Sequence, residues 1–106
     1  MSKQHAMVSQ PMQGKTETEI AQVLNRALRV LWQRGYKTLT PTVKDDFSSL
    51  ESPGIVSISL RFLAKSLKTM SLCNAVCFCK GWEEARGCCI EHEAAETYGL
   101  EILYEE

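Results

Sequence analysis

The sequence lacks the features that would place it in several special classes of protein. No apolar run approaches the roughly 20 residues that a membrane-spanning helix needs, and residues 1–12 contain no apolar signal core. We therefore expect a cytoplasmic protein with no membrane partner. The 12 basic residues are balanced by 13 acidic ones, giving a net charge of -1. Since non-specific nucleic-acid binding usually needs a basic excess, nucleic acid is not an expected partner.

The cysteines lack the arrangement of a disulfide framework or a zinc site. There are five, an odd number, all within residues 73–89, so reduced thiols are expected rather than bridges. Their spacings are C-x3-C, C-x-C and C-C, whereas zinc signatures usually contain C-x2-C pairs. We expect small hydrophobic residues here, with no metal and no cofactor. A Cys–His nucleophile using Cys89 and His92 is an alternative, although both are predicted to face outward and lack a pocket.

What the sequence does contain is typical of one ordinary globular domain. Hydrophobic residues make up 44% and charged residues 24% of the 106 positions, which supplies a core in a chain too short for two ordinary domains. It contains no internal repeat and no low-complexity tract. We expect residues 1–5 to form a disordered extension and residues 6–106 to form a single domain.

Strands and helices are predicted to alternate along the chain. Thr16 and Glu19 form a capping box at the start of the first helix, and Gly35 is a left-handed cap at its end. Pro11 and Pro41 end the strands before them, because proline cannot donate a ladder hydrogen bond. The predicted elements are strands at 6–10, 36–40, 74–79 and 100–104, a helix at 16–35, a second helix between the second and third strands, and a third helix supplied by 80–96 and ended by Gly99. The second helix has an apolar stripe at Leu60, Leu63, Ala64, Leu67 and Met70, and its basic residues Arg61, Lys65 and Lys68 are predicted to face water.

This alternation predicts an α/β fold, a small three-layer flavodoxin/Rossmann-like domain with a four-stranded parallel sheet and helices on both faces. In such sheets ligands bind beyond the carboxyl ends of the strands, near the point where strand order reverses. Residues 10–16, 40–54 and 80–91 should meet at that edge. The loop at 40–54 is long for a small domain, which makes it a candidate functional flap.

Glu91 is the candidate functional residue of the third helix. At about 100° per residue, Gly87, Cys88, Glu91, Ala94, Ala95 and Tyr98 fall on one side, and Cys89, His92, Glu93 and Glu96 fall on the other. Glu91 lies in the middle of the apolar side, where an unpaired charge is expensive to bury and a carboxyl should have a raised pKa. The alternative is an acidic residue stabilised by the helix dipole. His92 and Glu93 are expected to be solvated rather than catalytic.

The segment from Gln10 to Thr16 joins the first strand to a helix N-terminus. Unpaired backbone N–H groups and the helix dipole favour anions there, so a phosphate or a sugar hydroxyl would be a suitable ligand. Gly14-Lys15-Thr16 is not a Walker loop, because no earlier glycine precedes it at the required spacing. A plain turn with Lys15 in solvent is the alternative.

Three segments of the sequence are distinctive: VSQPMQGKTE at residues 8–17, LAKSL with Met70 at residues 63–70, and FCKGWE through ARGC to IEHEAA at residues 78–95. Taken together, they resemble the DUF4406 family of small phage and bacterial proteins. The resemblance runs from about residue 6 to the C-terminus. This family is grouped with the nucleoside 2-deoxyribosyltransferase-like fold, and Gly81 followed by Glu91-x-x-x-Ala95 is similar to a segment of those transferases.

The resemblance implies a nucleoside or nucleotide ligand. It also implies that Glu91 is a nucleophile, which would attack the anomeric carbon and break an N-glycosidic bond. Trp82 would stack on a base, and a homo-oligomer is implied because the relatives complete their sites across subunits. The ligand-binding residues that the resemblance implies are Ser9, Gln10, Pro11, Met12, Gly14, Lys15, Lys80, Gly81, Trp82, Arg86 and Gly87.

The sequence departs from the transferases at two positions and from the usual DUF4406 pattern at a third. Lys80 stands where the transferases have an acidic residue that protonates the departing base, Asn74 replaces an aspartate of the transferases, and Cys89 stands where DUF4406 often has a basic residue. Asp45 and Asp46 in the flap are candidates for the acid, while Lys80 favours an anionic ligand such as a nucleotide phosphate. The alternative function is a non-catalytic phage-type protein that sequesters a nucleotide-like ligand or inhibits a host factor.

Overall fold

Strands and helices alternate along the chain in the order predicted. The computed structural model describes residues 4–12, 14–39 and 58–105, so the loop predicted at 40–54 lies outside the described residues. The elements are β1 (His5–Ser9), α1 (Glu17–Gln33), β2 (Lys37–Thr38), α2 (Ile58–Met70), β3 (Ala75–Phe78), a 3-10 turn (Trp82–Glu84), α3 (Arg86–Thr97) and β4 (Glu101–Tyr104).

The four strands form one parallel sheet in the order β2-β1-β3-β4. All residues of β3 are buried, as expected of a strand that has neighbours on both sides and helices on both faces. The predicted α/β class with a four-stranded parallel sheet is therefore confirmed. β2 is shorter than predicted, because Tyr36 lies outside the strand and its backbone N–H caps α1 instead, donating to the Leu31 carbonyl.

Each face of the sheet carries its own hydrophobic cluster. On one face, Ala27 and Leu31 of α1 pack against the sheet around Cys77. On the other face, Met70 at the end of α2 and Ala95 of α3 pack around a second set of strand residues that includes Phe78. Successive residues of a strand point to opposite faces, and the alternation of β3 side chains between the two clusters produces the three-layer arrangement.

The boundaries of α1 follow the predicted caps. The Thr16 hydroxyl accepts a hydrogen bond from the Glu19 N–H at 3.1 Å, and the Glu19 carboxylate accepts one from the Thr16 N–H at 3.1 Å. At the other end, Gly35 has φ +84° and its N–H donates to Trp32, while the next N–H, of Tyr36, donates to the Leu31 carbonyl. These paired bonds satisfy carbonyls that the helix itself leaves open.

The predicted apolar stripe of α2 is wrong at two of its five positions, Leu60 and Ala64, while Leu63 is half-buried. Leu60 is 64% exposed, and Ala64 is exposed as well. The reason is that α2 joins the described core through its C-terminal half, where Leu67 and Met70 pack against the sheet. The positions predicted to face water also differ, since Lys68 is exposed whereas Arg61 and Lys65 are half-buried.

The buried side of α3 matches the prediction except at its end. Cys88, Glu91 and Ala95 are buried, which confirms the angular placement of these residues. Tyr98 was expected on the same side but is 82% exposed. It is the C-cap, with φ -98° and ψ 9°, so the helical angle no longer applies to it. Gly99 follows with φ +75° and ends the helix as predicted.

The Glu105 carboxylate, just beyond β4, ties three parts of the chain together. Its Oε2 accepts a 2.7 Å hydrogen bond from Arg26 Nε on α1, and its Oε1 accepts a 3.0 Å bond from the backbone N–H of Lys80. Burial would raise the pKa of Glu105, but the hydrogen bonds from Arg26 and Lys80 outweigh it and lower the pKa. The start of the loop after β3 is therefore held by a paired, ionised carboxylate.

Replacing Glu105 by alanine should lower the free energy of unfolding by about 1–3 kcal/mol, because the part-buried backbone N–H of Lys80 loses its acceptor and Arg26 loses its partner. Urea unfolding at pH 7 measures the change. Glu93→Ala, which removes an exposed carboxylate from α3, is the control and should change stability by less than about 0.5 kcal/mol. Equal effects of the two substitutions would contradict this role of Glu105.

Candidate active site

The strand order identifies one place on the sheet where a ligand would be expected. The chain passes from β1 to β2 on one side and returns to β3 on the other side of β1, so the order reverses between β1 and β3. Open parallel sheets bind ligands beyond the carboxyl ends of the strands at such a point. Ser9 and Phe78, the last residues of these two strands, are paired in register there.

Glu91 projects from α3 to this edge of the sheet. The residue is only 7% exposed, although it carries an ionisable carboxyl. Burial raises the pKa of Glu91, and the nearby Ser9 hydroxyl opposes part of that shift. A carboxyl desolvated in this way is more easily protonated than one in water, so its charge must be compensated when it ionises.

The Ser9 hydroxyl is the second component of the site. The residue is 2% exposed, and among the described residues its Oγ makes no hydrogen bond of normal distance and angle. The hydroxyl is nevertheless close enough to Glu91 and to Cys88 to lower the pKa of both groups against the effect of burial. Buried hydroxyls are nearly always hydrogen-bonded, so Ser9 has capacity for a further partner.

The loop after β1 is held partly by its own side chains. The Gln10 amide donates a 2.8 Å hydrogen bond to the Ile20 carbonyl, which ties the loop to the first turns of α1. The capping box of α1 already uses one of its free N–H groups, so the predicted anion site at this helix start is partly occupied by the chain itself. Met12 is 58% exposed and Lys15 is also exposed.

The loop after β3 approaches the loop after β1, as the sequence predicted. Gly81 has φ +89°, and a Cβ placed on it would lie 3.7 Å from the Pro11 ring. Lys80 is exposed, while its backbone N–H is bound by Glu105. Two of the three segments expected to meet are therefore adjacent, and the third, residues 40–54, lies outside the described residues.

The prediction that His92 is solvated is wrong, because the residue is part of an aromatic cluster. Its side chain is 12% exposed and stacks on Trp82 with centroids 4.0 Å apart and planes at 8°. Its Nε2 lies 2.8 Å from the Tyr104 hydroxyl, and Phe78 meets the imidazole edge-on at 4.7 Å. The prediction failed because His92 follows Cys88 by one helical turn and borders the buried face, where Trp82 and Tyr104 cover it.

The remaining predicted site residues have distinct positions. Arg86 is exposed at the first position of α3, and Gly87 is half-buried. No side chain caps this helix start. The stack with His92 occupies one face of Trp82, so a base would have to use the other face. Asn74 lies at the opposite end of β3, where its Oδ1 accepts a 3.1 Å bond from the His5 N–H.

The five cysteines are free, and most are buried. Burial raises the pKa of Cys73 and Cys77 to about 11 and that of Cys79 to about 12. The half-buried Cys89 thiol donates to the carbonyls of Trp82 and Glu83, so it is not paired with His92 as a Cys–His nucleophile would require. Within residues 4–12, 14–39 and 58–105, no group of three or more His, Cys, Asp or Glu is arranged to hold a metal ion.

An open cavity lies at the other edge of the sheet. It has a volume of about 420 Å³ and is lined by Trp32, Gly35, Tyr36, Lys37 and Thr38, at the end of α1 and the start of β2. Its lining residues include no carboxyl, and the Tyr36 phenol already donates to Glu101. The buried carboxyl of Glu91 lies instead at the carboxyl edge of the sheet, beside Ser9.

Sequence reasoning missed the aromatic cluster and the Glu105 pairing. Cys88 and His92 are four residues apart on a helix and so share a face, while Ile102 and Tyr104 share a face of β4 by the period of two. Combining these two patterns would have placed His92 near Tyr104. The Glu105 pairing has no comparable signal, because it joins residues 79 positions apart in sequence.

Comparison with known proteins identifies one family. A family model described as "Domain of unknown function (DUF4406)" matches residues 5–104, which confirms the resemblance seen in the three sequence segments. No match was found among curated proteins or among solved structures. In the part of the chain that the structure describes, no helix has the length and apolar character needed to cross a bilayer.

The raised pKa of Glu91 predicts a pH-dependent difference in stability. The folded protein holds the Glu91 proton more tightly than the unfolded chain, so ionisation destabilises the fold as the pH rises from 4.5, the ordinary value, through the raised pKa. The loss of stability is about 1.4 kcal/mol for each unit by which the pKa is raised. Glu91→Gln should remove this loss, because glutamine does not ionise. The variant should be at least as stable as the wild type at pH 7, and the two should converge near pH 4.

Urea unfolding of both proteins between pH 4 and pH 8 measures this difference. Glu93→Gln, at an exposed position on the same helix, should show no such dependence. A Glu91→Gln variant that is less stable than the wild type by the same amount at every pH would contradict the prediction.

The exposure of the thiols predicts their reactivity. With a colorimetric disulfide reagent, Cys89 should react promptly, whereas the four buried thiols should react only as fast as the protein opens, because burial disfavours their thiolates. The number of protein thiols that react before and after urea is added tests this prediction. Cys89→Ser should abolish the prompt phase, and a prompt phase that persists in that variant would show that a buried thiol is accessible.

Proposed function

This chain belongs to the DUF4406 family, and we propose that it binds a nucleoside or nucleotide at the carboxyl edge of its sheet. We propose further that Glu91 cleaves the N-glycosidic bond and that the sugar is transferred to water or to a second base. The observation that carries the proposal is the burial of the Glu91 carboxyl beside the Ser9 hydroxyl, which has no hydrogen-bond partner among the described residues, at the point where such sheets bind ligands. The similarity of Gly81 and Glu91-x-x-x-Ala95 to a segment of the nucleoside 2-deoxyribosyltransferases supports the reaction class.

The burial of Glu91 supports a functional role on energetic grounds. A carboxyl in an apolar position lowers stability when it ionises, and such costs are typical of residues that are kept for function. The Ser9 hydroxyl can stabilise the ionised form and can also bind a hydroxyl of the ligand. Ser9 directly precedes the loop that carries Pro11, so a sugar bound by that loop would be within reach of the Glu91 carboxyl.

In the proposed reaction, a Glu91 oxygen forms a bond to the anomeric carbon while the bond from that carbon to the base nitrogen breaks. The electron pair of the broken bond leaves with the base, which takes a proton from an acid or from water. Water or a second base then attacks the same carbon and releases Glu91 as a carboxylate. Water gives hydrolysis and a second base gives transfer; the candidate acids Asp45 and Asp46 lie outside the described residues.

Positive charge at the rim of the site favours a phosphorylated ligand. Lys15, Lys80 and Arg86 are all exposed, and each lies on a segment that begins or ends at the carboxyl edge of the sheet. The α3 N-terminus has no side-chain cap, so its N–H groups are available to an anion. A nucleoside monophosphate therefore suits the rim better than a nucleoside, and a homo-oligomer would deepen the shallow crevice of so small a domain.

A second candidate function is binding without cleavage. The raised pKa of Glu91 favours a protonated carboxyl, which donates a hydrogen bond to a ligand rather than attacking it. The presence of Lys80 where the transferases have an acid also favours binding without cleavage. In this role the protein would sequester a nucleotide-like molecule.

The test is to incubate the protein with 2′-deoxynucleosides and their 5′-monophosphates, with and without a second free base, and to measure base release and exchange by chromatography. Glu91→Gln should reduce turnover at least about 100-fold, because an amide cannot act as the nucleophile. Glu93→Gln, the neighbouring exposed position, should leave turnover unchanged.

Calorimetric titration with the same compounds separates the two candidates. Turnover that depends on Glu91 supports the enzyme. Tight binding without turnover, retained in Glu91→Gln, supports sequestration and excludes the nucleophile. Neither turnover nor binding with any of these compounds at high protein concentration would contradict both.

A further inference from the structure

A row of carboxylate, imidazole and phenol side chains lies on the part of α3 that faces β4, and the proposed function does not use it. Glu96 Oε1 is 3.4 Å from His92 Nδ1, and His92 Nε2 is 2.8 Å from the Tyr104 hydroxyl. Glu91 and His92 are neighbours in sequence, so they point about 100° apart around the helix. The two sets of groups are therefore distinct.

The aromatic side chains hold the imidazole of His92 in a fixed orientation. Trp82 stacks on one side of the ring at 4.0 Å, with planes at 8°, and Phe78 contacts it edge-on at 4.7 Å and 60°. Rotation of the ring would break both contacts and the hydrogen bond to Tyr104. Geometry held by packing in this way is what a proton-transfer group requires.

We propose that Tyr104 is a nucleophilic hydroxyl that accepts acyl groups from uncharged esters, with His92 as its general base. Glu96 beside Nδ1 favours the tautomer that carries its proton there, which leaves the Nε2 lone pair for the Tyr104 proton. A nucleophile within hydrogen-bond reach of a base that a third group orients is the general arrangement of nucleophilic sites. Tyr104 is 49% exposed, so a donor in solution can reach it.

The transfer step conserves atoms and charge without a further reactant. As the Tyr104 proton moves to His92 Nε2, the phenol oxygen forms a bond to the carbonyl carbon of the ester. The bond from that carbon to the ester's alcohol oxygen breaks, and the alkoxide or phenoxide leaves with its electron pair. His92 then returns the proton to the leaving group or to solvent, and the product is an acylated Tyr104.

The charges around Tyr104 decide between classes of donor. Glu96 places a carboxylate 3.4 Å from His92 Nδ1, whereas the carboxylate of the neighbouring Glu105 is already paired with Arg26. The Glu96 charge disfavours the approach of an anionic phosphoryl donor. An uncharged ester avoids this repulsion, so acyl transfer fits the surroundings better.

The three tyrosines of the chain provide an internal comparison. With p-nitrophenyl acetate at pH 7, acetylation of Tyr104 should be at least about tenfold faster than that of Tyr98, the effect expected of a modest general base. Tyr98 is the more exposed of the two, at 82%, so accessibility alone predicts the opposite order. Tyr36 donates to Glu101, which raises its pKa to about 12, and it should react most slowly. Peptide mass spectrometry over time gives the three rates.

Two substitutions of His92 identify the base. His92→Phe keeps an aromatic ring in the stack, and His92→Gln keeps a hydrogen-bond acceptor, but neither can take up the proton. Both should reduce the rate at Tyr104 about tenfold or more while leaving the rate at Tyr98 unchanged, with circular dichroism confirming the fold. Tyr104 reacting no faster than Tyr98 in the wild-type protein, or equally fast in both variants, would overturn the proposal. The result does not depend on nucleotide binding or on Glu91.

Discussion

The parallel pairing of β1 with β3 is the contact on which the rest of the molecule depends. It aligns Ser9 with Phe78 and sets the point where strand order reverses. It also brings the two following loops together, with Gly81 beside Pro11. The pairing is stabilised from both faces, because alternate residues of β3 belong to the clusters beneath α1 and beneath α2 and α3. A slip of one residue would exchange these clusters and move every side chain at the carboxyl edge.

Above this edge, α3 combines two kinds of surface within one turn. Its buried Cys88 and Glu91 side chains lie close to the Ser9 hydroxyl, whereas His92 belongs to an aromatic cluster with Trp82, Phe78 and Tyr104. The aromatic cluster includes Trp82 of the loop after β3, and the Glu105 carboxylate holds the start of that loop through the backbone N–H of Lys80. The short strand β4 therefore contributes to the site mainly through the groups at its end.

The fold could be read from the sequence wherever a local rule decided the structure. The capping box at Thr16, the left-handed Gly35 and the continuous apolar run of β3 each have a local cause, and each was predicted. Glu91 was found because helical geometry fixes its angle relative to Cys88. The prediction for His92 failed because its surroundings come from β3, β4 and the 3-10 turn. The prediction for Leu60 failed because periodicity does not indicate where along its length a helix leaves the core. The ligand and the acid of the proposed reaction have no such local signal.

Glycine is favoured at position 81 by the backbone conformation of the turn and not by a lack of space for a side chain. Its φ of +89° is unfavourable for ordinary side chains, yet a Cβ at this position would be in normal van der Waals contact with Pro11 at 3.7 Å. A mirror-image residue such as D-alanine has its preferred conformation at positive φ, so the backbone of this turn would not strain it. Placed there by chemical synthesis, it would remove conformational freedom from the unfolded chain and so stabilise the folded turn beside Pro11.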